Sequence, residues 1–192
     1  AWPGRYLGLR PKRSRSATGF PCDPMPELDF ETLQFKDDGL VPNNPALPVV
    51  LMRAAIQADQ TLVADTYSAN GWCGRWVWTV FDYHHYHPDA HEVLTCLSGH
   101  GDILIGGPSG RTIGLSPGDV CVLPAGVGHK NEGTSRDFAV MGAYPPGQEK
   151  PEIRKANREN YPGMSERIAA VALPRTCPIF GANGPTMTAW AA

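Results

Sequence analysis

A mostly β fold is what the sequence predicts, on two observations. Short apolar and β-branched runs recur along residues 92–144, and Gly or Pro signals separate most of them. Those signals are Ser98-Gly99, Gly106-Gly107-Pro108, Ser116-Pro117-Gly118 and Pro124-Ala125-Gly126, and the totals of 21 Gly and 19 Pro exceed ordinary usage. Short strands joined by such breaks describe a compact β-sandwich or barrel. At 192 residues the chain suits one domain with a sizeable core.

Residues 1–22 form a basic leader. Arg5, Arg10, Lys12, Arg13 and Arg15 precede the first acid, Asp23, among Gly, Ser and Pro. So little apolar content predicts a disordered, solvated tail, with an organelle-import leader as the alternative. Residues 23–58 are rich in proline (Pro24, Pro26, Pro42, Pro45, Pro48) and predict an extended arm lying over a sheet edge or a partner subunit. The arm carries a strand-like piece at Leu33-Gln34-Phe35 and ends in a buried strand over residues 48–52. Within 59–71, Leu62, Val63, Thr66 and Tyr67 share one helical face, and Asn70-Gly71 stops the helix.

Trp72, Trp76 and Trp78 follow, either as pocket lining or as filling for a core or interface. Strands are predicted over 92–97, 102–105, 111–115, 120–123 and 138–144, which closes the core unit 59–148. Residues 149–192 are expected to pack on the barrel as a C-terminal extension. In it, 152–160 is charged and reads as a helix or a surface loop, 168–173 as a strand and 185–190 as an extended piece.

A formal net charge of −2 argues against a nucleic-acid partner, which calls for a strongly basic face. No apolar run approaches the roughly 18 residues that span a bilayer, so no membrane partner is expected. The five cysteines are odd in number and lack a CxxC pair, which predicts ordinary buried thiols in a reducing compartment and a cytoplasmic location.

All six histidines (His84, His85, His87, His91, His100, His129) fall between residues 84 and 131. On a strand, His85 and His87 at i, i+2 point to one face. Two neutral imidazoles on one face make half a metal site. Glu92, beyond the turn-prone Pro88-Asp89, can supply a carboxylate oxygen, and His129 a third nitrogen. Buried without partners these groups are costly, and one divalent cation binding all four resolves the cost. Four ligands in an octahedron leave two adjacent positions for water, substrate or dioxygen. The plain alternatives are a vestigial polar core and a structural metal.

The residues also resemble a known family. His85-Tyr86-His87, four residues, Glu92, six residues and Gly99 match the first signature of the cupin superfamily. Gly118, five residues, Pro124-Ala125-Gly126, two residues and His129 match the second. The resemblance implies a double-stranded β-helix, a jelly-roll barrel, holding one metal ion through His85, His87, Glu92 and His129. Between Phe35 and Gln148 the chain looks like the YjlB-type branch, through Lys36-Asp37-Asp38-Gly39, Pro42-Asn43-Asn44-Pro45, Asn70-Gly71-Trp72, His84-His85-Tyr86-His87, Gly126-Val127-Gly128-His129-Lys130 and Gly142-Ala143-Tyr144-Pro145-Pro146-Gly147-Gln148. Two departures stand out. Gly133 occupies a position often held by Asn, and Cys73-Gly74 replaces prolines expected in this branch.

A rival ligand set, His87, Asp89 and His129, resembles that of iron oxygenases with two histidines and one carboxylate, but it leaves His85 and Glu92 without a task. His84 and His91 are out of phase with the ligands and are expected to face outward, and His100 to sit in a turn. The candidate catalytic residues are Glu92, as a proton carrier, Tyr86, as a hydrogen-bond donor alongside Tyr83 and Tyr144, and Lys130, which either steers an anionic substrate or is a surface lysine. The expected cofactor is one divalent ion, Fe(II) first and Mn, Ni or Zn as substitutes. The expected function is a metal-dependent enzyme acting on a small organic molecule, of dioxygenase type first. An isomerase or lyase using the metal as Lewis acid is the second reading, and a non-catalytic small-molecule binder the third. The extended arm and the family habit predict a homodimer.

Overall fold

The computed structural model describes residues 29–158 and 163–191. The basic leader and the first residues of the arm lie outside the described residues. Eleven strands are present among those described: β1 (Phe30–Leu33), β2 (Val49–Met52), β3 (Cys73–Trp78), β4 (His85–Tyr86), β5 (Glu92–Ser98), β6 (Gly101–Ile105), β7 (Arg111–Leu115), β8 (Val120–Leu123), β9 (His129–Thr134), β10 (Ala139–Tyr144) and β11 (Arg154–Lys155). Three helices accompany them: α1 (Gln60–Ala69), α2 (Met164–Ala169) and α3 (Pro185–Trp190). The strands pair antiparallel in two sheets, in the orders β1-β2-β8-β5-β10-β3 and β11-β4-β9-β6-β7. Together they make the jelly-roll double-stranded β-helix.

The centre of the six-stranded sheet is buried on both faces, which explains why β2 and β8 read as unbroken apolar runs rather than alternating ones. Val49, Leu51, Leu94, Cys121 and Leu123 point inward and pack with Ile103, Ile105, Ile113 and Leu115 of the facing sheet. Their neighbours Val50, Met52, Val93, Val120 and Val122 point outward, where Val63 and Tyr67 of α1 and Trp190 of α3 cover them.

Helix α1 stands where predicted. Asp59 caps it by accepting the Leu62 N–H at 2.8 Å, and Gly71, at φ +75°, ends it. The arm joins the edge of the six-stranded sheet through β1, which pairs with β2. Its strand begins three residues before the expected Leu33-Gln34-Phe35.

Four elements differ from expectation. Residues 129–134 form β9 between β4 and β6, although the sequence His-Lys-Asn-Glu-Gly-Thr carries no apolar alternation. The charged stretch after Glu152 forms the two-residue strand β11 on β4. No strand forms over 168–173: residues 168 and 169 end α2, whose one buried side chain is Ile168, and the rest follow it as turn and loop. The extended piece over 185–190 is α3, which begins on Pro185 at its first turn, where the missing N–H costs nothing.

Gly118 shows why the turn before β8 needs glycine. Its φ is +92°, and a Cβ there would lie 2.6 Å from the Ile56 carbonyl oxygen, a backbone atom.

Candidate metal centre

The two sheets bring the predicted quartet together from opposite sides. His85 of β4 is the register partner of His129 on β9, and His87 follows two residues after His85. Glu92 enters from β5 of the facing sheet. All four are at most 5% exposed. One ligand nitrogen from each of His85, His87 and His129 lies within 4.8 Å of the other two. Glu92 Oε2 lies 3.3 Å from His129 Nε2 and 3.5 Å from His87 Nε2.

Backbone carbonyls orient the three rings. His85 Nδ1 faces the Tyr83 carbonyl at 3.3 Å, His87 Nδ1 that of Glu152 at 2.9 Å, and His129 Nδ1 that of Val127 at 3.2 Å. A carbonyl only accepts, so each Nδ1 carries the proton, and in the neutral rings the Nε2 lone pairs are left free. Glu92 Oε1 accepts a hydrogen bond from the Tyr144 hydroxyl at 2.9 Å, and that hydroxyl accepts one from Trp76 Nε1 at 2.8 Å. Glu92 Oε2 is buried and meets no well-aligned donor. Three lone pairs and an undonated carboxylate oxygen converging in an apolar setting fit one divalent cation.

Without an ion, the charges of the quartet couple to one another. Burial opposes charge on Glu92, but His87 and His129 outweigh it and hold the carboxyl well below its usual range. Burial, with His129 alongside, drives His85 down to about 2. Burial also opposes charge on His87, where Glu92 outweighs it and raises the pKa.

The YjlB-like Asn pair holds the loop that carries His129. Asn43 Nδ2 donates to the Lys36 and Gly106 carbonyls at 2.7 and 3.0 Å, while its Oδ1 accepts the Gly128 N–H at 3.3 Å. Asn44 Nδ2 donates to the Ala125 carbonyl at 3.0 Å.

The quartet lines a cavity of about 200 Å³, walled by Trp76, Trp78, Val80, Phe81, Leu94 and Ile153, with Thr79 and Tyr144 also lining it. Two of the three clustered tryptophans thus line a pocket. The third, Trp72, is core.

Other candidates lie elsewhere. Tyr86 does not line the cavity, because strand alternation turns it away from His85 and His87. Its ring lies among the charges of Arg154, Glu152 and Arg167. Lys130 is likewise outside the lining and pairs with Glu132 at 3.5 Å. Asp89 of the rival ligand set accepts the Glu152 N–H at 3.0 Å and pairs with Arg167 at 3.2 Å. His100 is exposed beside Asp102.

His91 lies on the outer side of the barrel, as its phase predicts, but is not solvated there. It is fully buried, its ring centroid lies 4.8 Å from that of Trp190, and Nδ1 accepts the Ala125 N–H at 3.0 Å. Burial holds its pKa down to about 4. Between about pH 6.5 and 4 the unfolded chain therefore binds this proton and the folded chain does not, so stability falls as pH drops through that window, by up to about 3 kcal/mol. Urea midpoints at pH 7 and 4.5 should converge in His91→Gln relative to the native chain. An unchanged gap would remove His91 from the account.

Sequence reasoning missed the support of His87. The Glu152 carbonyl that orients this ring sits on a segment tied down by Asp89 and by Arg167, whose guanidinium is 2.6 Å from Glu152 Oε2. Arg167→Gln should loosen the segment and lower divalent-ion affinity about tenfold, measured by calorimetric titration of Zn(II). Native affinity in the variant would assign Arg167 to the surface alone. A carbonyl acceptor 65 residues away in the chain leaves no local pattern in the sequence.

Comparison with known proteins identifies the family. The family described as Cupin domain matches residues 79–141. An uncharacterized protein of Bacillus subtilis (strain 168), YjlB, is 38% identical over 164 residues, spanning 85% of this chain and 98% of that protein. The chain belongs to the cupin superfamily, in its YjlB-type branch. Among solved structures, this cupin is similar to acireductone dioxygenase from Bacillus anthracis with a cadmium ion in its active centre, at 25% identity and TM-score 0.34, covering 48% of this chain and 62% of that one. The match therefore spans less than two thirds of that dioxygenase. Similarity to a TDP-quinovose 3,4-ketoisomerase from Campylobacter jejuni is at 17% identity and TM-score 0.37, covering 47% and 74%. No helix among the described residues is long and apolar enough to cross a membrane.

Proposed function

We propose that this cupin is a metal-dependent enzyme acting on a small organic molecule, with dioxygenase-type oxidation as the leading reaction. The observation that carries the reading is the convergence of one ring nitrogen from each of three histidines and an undonated Glu92 oxygen in a largely apolar cavity. His85, His87, His129 and Glu92 would hold one divalent ion, Fe(II) first and Mn, Ni or Zn as substitutes. When bound, such an ion supplies a Lewis acid and, if redox-active, an electron source for dioxygen.

The chain's own residues do the rest. Trp76 and Tyr144 hold Glu92 in place through the two hydrogen bonds, and the buried Val80 and Leu94 keep water from the inner side of the reacting molecule. Catalytic roles go to Glu92 and Tyr144; Tyr86 and Lys130 stand outside the cavity. A second reading, isomerase or lyase chemistry, is favoured by Glu92 Oε2, which faces the site without a donor and is placed to carry a proton. The homodimer expectation gains support from β3, an outer strand whose Val77 and Trp78 are 42% and 59% exposed.

Elemental analysis of protein purified without chelator or nickel resin, followed by oxygen uptake on phenolic, diketone and thiol compounds, tests the reading. Iron with oxygen consumption supports the dioxygenase. Zinc with no uptake moves the assignment to Lewis-acid chemistry, and absence of any stoichiometric ion refutes both.

A further inference from the structure

The cavity wall narrows what the site can take. Six of its residues, Trp76, Trp78, Val80, Phe81, Leu94 and Ile153, are apolar or aromatic, and no Lys, Arg or Asp among the described residues lines it. The neighbouring cations are engaged elsewhere, with Lys155 over the Tyr83 ring at 4.1 Å and Lys130 on Glu132. Trp76 Nε1 is already committed to Tyr144, so that indole offers a guest its ring rather than its N–H.

Charge counting sets the second limit. Three neutral imidazoles, one carboxylate and a divalent ion sum to a single positive charge. A monoanionic head neutralises it, whereas a dianion such as a phosphate ester or dicarboxylate leaves net negative charge against apolar walls with no cation to meet it. Size sets the third limit. An engineered apolar cavity of about 150 Å³ accepts benzene, so about 200 Å³ here admits one ring with small substituents.

We propose that the site takes a single-ring, largely apolar molecule whose oxygen-bearing head carries at most one negative charge. This rests on the metal-dependent reading above. Trp78 and Ile153, 59% and 51% exposed at the wall, are the residues that select the ring.

The test uses Zn(II)-loaded protein and three probes in calorimetric titration: tropolone (a ring with a monoanionic oxygen head), phenyl phosphate (a ring with a dianion) and oxalate (a dianion without a ring). Tropolone should bind at least about tenfold tighter than phenyl phosphate. In the double variant Trp78→Ala with Ile153→Ala its affinity should fall about tenfold, while zinc stoichiometry and oxalate affinity stay at native levels. Equal binding of tropolone and phenyl phosphate, or tropolone affinity unmoved in the variant, overturns the proposal and leaves the metal reading standing. Failure of the native protein to take up zinc overturns the metal reading itself, and this proposal with it.

Discussion

Replacing His87 or His129 by alanine should abolish stoichiometric divalent-ion binding, lowering affinity by about a hundredfold or more. Each ring supplies one of three converging ring nitrogens, and neither leaves a neighbour able to stand in, since His84 and His91 lie outside the cavity lining. The metal-free fold should also suffer in the His87 variant. Glu92 is 2% exposed and His87 is one of its two imidazole partners. Removing one partner of a buried charge pair costs about 3 kcal/mol. That loss shrinks as pH falls through the unfolded carboxylate's range near 4.5, because the stability lent by a depressed carboxyl pKa is present above that range and is lost below it. Mass-spectrometric metal content together with urea unfolding at pH 7 and 4 reads both effects. Native metal content in His129→Ala would remove that residue from the centre.

The second large effect is expected at Gly142, in the middle of β10. A Cβ there would lie 2.2 Å from Cε2 and 2.5 Å from Nε1 of Trp76, its register partner on β3. The indole cannot keep its place, so Gly142→Ala should cost about 1–3 kcal/mol through overpacking. The same displacement breaks the Trp76 hydrogen bond to the Tyr144 hydroxyl and frees the group that fixes Glu92. Gly142→Ala should therefore lower Tm and divalent-ion affinity together, and Trp76→Phe in the same background should recover part of the Tm but not the affinity. A variant with native Tm and native Trp fluorescence would show that β3 yields without strain.

The ligands were legible in the sequence because their spacing is a strand property. His85 and His87 share a face at i, i+2 for the same reason that Val49 and Leu51 do. The strands that position them were harder to read. On β9 the first inward residue is His129 itself, and the next residues are polar and partly or fully exposed. A functional side chain had taken the place that an apolar one marks elsewhere, so the alternation vanished. The missed helix α3 has six residues, too few for a period to show, and only Pro185 at its start signalled it.

His91 was misjudged by assuming a solvated outer face. That face of the six-stranded sheet is covered by α1 and α3, and Trp190, about a hundred residues away in sequence, makes the site of His91 an interior. The Trp76–Tyr144–Glu92 chain was out of reach for the same reason, since its members meet only through the pairing of β10 with β3 and β5. Tyr144 was one candidate among three tyrosines, and alternation along β4 alone argued against Tyr86.

The most direct measurement of the central claim is X-ray absorption of the Zn(II)-loaded protein. The account predicts one ion per chain with three imidazole nitrogens and one carboxylate oxygen at about 2.0–2.2 Å. Two imidazoles or fewer, or a sulfur in the shell, would contradict it.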